Sequence, residues 1–75
     1  MLKADGLDDA IIGIGERCGQ EDIIVYDVGK VIDILIQRDG MNYDEAHEFF
    51  SYNIVGAWHG EETPIWVRPY TEDED

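Results

Sequence analysis

Ile23-Ile24-Val25-Tyr26-Asp27-Val28-Gly29-Lys30-Val31-Ile32-Asp33-Ile34-Leu35-Ile36-Gln37-Arg38-Asp39-Gly40 holds a strand, a cap and a helix in one unbroken run. Ile23 to Tyr26 is β-branched and aromatic throughout, which favours a strand. Asp27 follows as an N-cap, since its carboxylate can accept from the free N–H groups of a first helical turn. The helix then runs from Val28 to about Arg38. At 100° per residue, Val28, Val31, Ile32, Ile34, Leu35 and Ile36 fill an arc of roughly 200°. Lys30, Asp33 and Gln37 form a narrow polar stripe opposite. An arc that wide predicts a helix covered on more than one side. Gly40 is placed to end it as a left-handed C′ residue.

Upstream, Ala10-Ile11-Ile12-Gly13-Ile14-Gly15-Glu16-Arg17 is short and β-branched and reads as a first strand. Its two glycines, spaced by two, fall on one face. Cys18-Gly19-Gln20 has turn character, so the two strands form a hairpin. Downstream, Asn42 and Glu45 have the spacing of a capping box. The second helix carries an apolar stripe of Tyr43, Ala46, Phe50, Ile54 and Ala57, with Asp44, Glu48 and Ser51 opposite. Gly60 is its expected stop, with Gly56 as an earlier alternative. Thr63 to Arg68 reads as a last strand, with Pro64 confined to its start or to an edge.

The expected fold is therefore a single α+β domain over residues 1–69, ordered strand, strand, helix, helix, strand. A three-stranded, mainly antiparallel sheet is packed by a helical hairpin. Two helices between the second and third strands turn the third antiparallel to the second, and it is placed beside the second. Residues 70–75 end in Glu72-Asp73-Glu74-Asp75 and are expected to form a disordered acidic tail.

Charge limits function. Eighteen Asp and Glu face five Lys and Arg in 75 residues, giving a net charge of −13, yet 44% of the residues are hydrophobic. A disordered acidic chain would lack that apolar content. A folded core inside a negative shell attracts basic partners and repels nucleic acid and anionic membranes. Residues 1–40 carry nine acids and four bases, whereas residues 41–75 carry nine acids and only Arg68. Asp44 and Glu48 stand one helical turn apart with like charge, an arrangement unfavourable to an isolated helix. Asp44, Glu45, Glu48, Glu61 and Glu62 are thus candidates for an acidic docking face; the plainer reading is a solvated surface. Trp58 and His59, beside the acidic turn, are candidate anchors for a pocket on a basic partner. Trp66 is better read as closing the small core across the helix-to-strand corner, while for Trp58 anchor and core closure are evenly balanced.

Enzymatic chemistry has little support. His47 and His59 are isolated, and Asp27 is better explained as a cap. Gly13-x-Gly15 lacks the third glycine of a dinucleotide fingerprint. One cysteine, Cys18, excludes an internal disulfide, and with His47 and His59 it lacks the spacing of a zinc site. No EF-hand pattern of alternating acids around a glycine is present. No cofactor, metal site or catalytic residue is expected. The N-terminal residues lack a basic region followed by an apolar one, and no apolar run approaches the ~20 residues of a membrane span. The expectation is a cytoplasmic protein, monomeric or homodimeric.

Several stretches resemble a small uncharacterised acidic family found in bacteriophage genomes. They are Asp5 to Gly13, Val25-Tyr26-Asp27, Arg38-Asp39-Gly40-Met41, Glu45-Ala46, and Asn53 to Trp58 with Gly60-Glu61 and Thr63-Pro64. The resemblance spans most of residues 5–67. It implies a phage-encoded accessory protein working in the host cytoplasm and assigns no catalytic residues. Joined to the charge, it leads to an acidic binding module that inhibits or modulates a host protein through its nucleic-acid-binding surface, its carboxylates standing in for phosphates. The alternatives are a virion-associated component whose acidity serves solubility, and a small metal-binding or enzymatic domain.

Overall fold

The structure, a computed structural model, describes residues 2–57 and 63–70. It is an α+β fold in two layers. Strand β1 (Ile11–Gly15) and strand β2 (Ile23–Asp27) form an antiparallel hairpin. Helix α1 (Val28–Asp39) follows without a linker, then helix α2 (Tyr43–Phe49) continues into a π-helical segment (Phe50–Val55), and strand β3 (Ile65–Val67) closes the sheet. The strand order is β1-β2-β3.

The strand-to-helix switch occurs at Asp27. Its backbone is still extended, and its Oδ2 accepts from the Lys30 amide at 2.9 Å. At the other end Gly40 takes a left-handed φ of 71°, and its amide returns to the Leu35 carbonyl. A side chain there would strain the turn, so glycine is the residue the geometry asks for. Between these ends α1 buries Val28, Val31, Ile32 and Leu35, with Ile34 and Ile36 packed at the flanks. The wide arc is met from several directions, by β2, by α2 and by the 3₁₀ turn Asp8–Ala10.

Tyr26 is the pivot of the core. It is fully buried, and its ring stacks on Trp66 with centroids 4.9 Å apart and planes at 27°. Phe50 meets the same indole edge-on at 5.5 Å and 88°. The Tyr26 hydroxyl accepts the Ala4 amide at 2.8 Å, and Arg38 Nη1 donates to the Gly6 carbonyl at 2.6 Å. Two long-range hydrogen bonds thus tie down the N-terminal segment, one inside the core and one at the surface. The indole N–H of Trp66 is buried and has no hydrogen-bond partner. Trp66 acts as a core closure, one of the two roles open to a tryptophan here.

Three expectations are corrected. β3 runs parallel to β2, pairing Val25 with Ile65, Tyr26 with Trp66 and Asp27 with Val67, so the sheet is mixed rather than mainly antiparallel. Counting helices fixes strand direction only when connections are short. Residues 56–64 lie between the π segment and β3, and nine residues can reach about 30 Å, nearly twice the ~17 Å of a five-residue strand. β3 is also three residues long, shorter than Thr63–Arg68. Finally, Ala46, Phe50 and Ile54 are buried, but Tyr43 is 65% exposed and Ala57 is exposed. The Gly56 amide bonds to Ser51 five residues back at 3.2 Å, so the last turn is wider than an α-turn and ends at Gly56. A Cβ on Gly56 would lie 2.9 Å from the Tyr52 carbonyl oxygen, so the close of that turn excludes a side chain.

Among the described residues no helix is long and apolar enough to cross a membrane. The expected tail lies, apart from Tyr70, outside the described residues.

Candidate functional site

Helix α2 begins with both halves of the capping box. The Asn42 side chain accepts from the Glu45 amide at 2.8 Å, and Glu45 Oε1 accepts from the Asn42 amide at 3.0 Å. Ala46 and Phe50 turn into the core, which leaves the opposite side of α2 to solvent. Asp44, Glu45 and Glu48 are all exposed there. Glu45 spends one carboxylate oxygen on the helix start, so Asp44 and Glu48 are the carboxylates with no protein partner among the described residues. Trp58, His59, Glu61 and Glu62 lie outside the described residues.

Two residues that the sequence reading passed over complete this face. Tyr52 is 79% exposed and Phe49 is 37% exposed. Together with Met41, Glu45, Glu48 and Asn53 they line a shallow depression of about 340 Å³. The helical spacing held the signal. Phe49 lies four after Glu45, and Tyr52 lies four after Glu48, so each aromatic falls beside a carboxylate on the same face. Exposed rings next to carboxylates suit a cationic side chain, which gains from the charge and from the ring face together.

A second, larger groove of about 600 Å³ runs between α1 and α2. Val28, Ile32, Ile36 and Pro69 give it an apolar floor, and Asp27, Lys30, Asp33, Tyr43, His47 and Arg68 line its walls. The Tyr43 and His47 rings lie 4.3 Å apart. Two cations and two carboxylates leave the groove near neutral, unlike the α2 face.

On α1, Arg38 clasps Asp39 with Nε at 3.0 Å from Oδ1 and Nη2 at 3.1 Å from Oδ2. These hydrogen bonds hold the Asp39 carboxyl below its ordinary range and the guanidinium above its own, against a smaller opposing loss of hydration. Among the described residues no group of three or more His, Cys, Asp or Glu side chains is placed to hold a metal ion. Cys18 is an exposed free thiol. Comparison with family models, with curated proteins and with solved structures finds no match for this chain.

Proposed function

We propose that this chain is a phage-type accessory binding module that docks its acidic α2 face on a basic, nucleic-acid-binding surface of a host protein and thereby inhibits or modulates it. The observation that supports this reading is the grouping of Glu45 and Glu48 with the exposed rings of Phe49 and Tyr52 around one depression, on a helix whose opposite side is anchored in the core. A surface serving solubility alone needs charge and has no use for large exposed aromatic rings. Rigid aromatic anchors within a charged rim are the composition of a protein-binding patch. Carboxylates on a fixed helix repeat along an axis, which lets them occupy sites that a partner offers to phosphates.

Capture from host lysate at low and high salt tests this, followed by a nucleic-acid-binding assay of whatever protein is captured. The proposal expects a salt-sensitive partner whose nucleic-acid binding falls when the module is added. A partner that binds nucleic acid equally well with the module present contradicts inhibition by occupancy of its basic surface.

The enzymatic alternative has one observation in its favour, the groove that brings Asp27, Asp33 and His47 to shared walls. Asp27 is committed to capping α1, which leaves Asp33 and His47 as the groups free for proton transfer. Ligand-induced changes in the His47 ring resonances, absent from the α2 face, would favour that reading.

A further inference from the structure

The two edges of the sheet are built differently. β3 is three residues long and is bracketed by Pro64 and Pro69, which cannot donate to a further strand. β1 is five residues long, Ile11-Ile12-Gly13-Ile14-Gly15, with no charge and no proline, and among the described residues it pairs only with β2. Ile12 is 49% exposed and Ile14 is 54% exposed. Folded proteins blunt such edges with charges, prolines or bulges. Among the described residues the only such device within β1 is the irregularity between Ile11 and Gly13, which leaves Gly13 to Gly15 in regular register. A ladder of that length suffices in this sheet, because β3 holds the far edge of β2 through three residue pairs.

We propose that the β1 edge accepts an extended strand from a partner protein, with apolar residues at its centre and Lys or Arg at its ends. The apolar centre follows from Ile12 and Ile14. The basic ends follow from the carboxylates around the edge: Asp5, Asp8 and Asp9 precede β1, and Glu16, Glu21 and Asp22 follow it, against Lys3 and Arg17 alone. Lys3 is already paired with Asp8 at 3.3 Å. A second copy of the chain would bring the same carboxylates together, so the charge favours a basic strand over self-pairing. Main-chain hydrogen bonds would supply the affinity and the flanking charges the selectivity. This surface is separate from the α2 face and does not depend on it.

The test is a titration of the isotopically labelled full chain with the synthetic peptide Lys-Arg-Val-Thr-Val-Thr-Lys-Arg and with its counterpart carrying Glu at the same four terminal positions. Amide shifts confined to residues 11–17, with slowed amide exchange in β1, are expected for the basic peptide only. Ile14→Lys should weaken binding by about tenfold or more by placing a like charge at the edge, while Gln37→Lys, an exposed position on α1 with the same change of charge, should leave it unchanged. Ile14→Thr keeps a β-branched side chain and reports a smaller loss should the lysine variant misfold. Shifts centred on α2, equal binding of both peptides, or no binding at millimolar peptide would overturn the proposal. So would a peptide-free dimer in sedimentation that Ile14→Lys or Ile14→Thr dissociates, because the edge would then belong to a second copy.

Discussion

The Tyr26 hydroxyl and the Ala4 amide, 22 residues apart in sequence, meet at 2.8 Å inside the core. The phenol accepts, and a buried N–H is satisfied by a side chain where no strand or helix supplies a carbonyl. The same ring stacks on Trp66 from the last strand, so one residue joins the N-terminal segment, the central strand and β3. Tyr26→Phe keeps the stacking and removes only the acceptor. It should cost about 1–3 kcal/mol, the penalty of a buried donor left unsatisfied. Urea unfolding measures the loss, and faster exchange of the Ala4 amide locates it.

Leu35 is almost fully buried on the core side of α1, packed among the residues that cover the helix. Leu35→Ala should cost about 2–5 kcal/mol through lost burial and the cavity left behind. In a domain of this size that is much of the total stability. A variant melting within a degree or two of the parent would place the core elsewhere.

A net charge of −13 on 75 residues repels itself in the folded state. Eighteen carboxylates face five Lys and Arg, so most have no cation to pair with even where salt bridges such as Lys3–Asp8 and Arg38–Asp39 form. The melting temperature should therefore rise between ~0.02 M and ~0.5 M salt as screening shortens the reach of the repulsion. A flat or falling melting temperature would show that the carboxylates are locally compensated.

Asp39 gives a pH dependence of known sign. Its carboxyl is held below the ordinary range by the hydrogen bonds from Arg38. A lowered folded-state pKa contributes stability above the unfolded value and loses it as pH falls through the folded one. Asp39→Asn should thus be less stable than the parent at neutral pH, and the two should converge in acid. The pair is exposed, so the difference is small. Urea midpoints of both proteins across the acid range check it; a difference that grows toward low pH contradicts the assignment.

Much of this molecule could be read in its residues where the cause is local. Asp27, Gly40, and Asn42 with Glu45 mark helix ends because each satisfies backbone groups within a few residues, and all are found where those spacings place them. The direction of β3 was not legible, because it depends on the path of a connector rather than on any residue in the strand. Nor was the π turn: Gly56 bonding to Ser51 leaves no local signature beyond a glycine, and Phe50 and Ile54 read alike in an α-helix. The carboxylates of the α2 face were visible, while Phe49 and Tyr52 were hidden beside the apolar stripe that claims Phe50. Their exposure was nonetheless encoded in the helical spacing, which sets Phe49 four after Glu45 and Tyr52 four after Glu48, off the side that Ala46, Phe50 and Ile54 turn to the core.

The proposed docking face is tested most directly by variants matched in charge. Asp44→Lys with Glu48→Lys changes the net charge by the same amount as Glu21→Lys with Asp22→Lys in the β1–β2 turn, and all four positions are exposed. Tyr52→Ala changes no charge at all. The dissociation constant of each variant is measured for the protein captured from host lysate, at one fixed low salt. A shaped acidic face predicts that the α2 pair weakens binding by about a hundredfold and Tyr52→Ala by about tenfold, as the loss of central anchors does. The Glu21 and Asp22 pair should cost only the few-fold of lost steering. Equal losses for the two charge-reversed pairs, with Tyr52→Ala unchanged, would contradict the docking face and leave bulk charge as all that the partner senses.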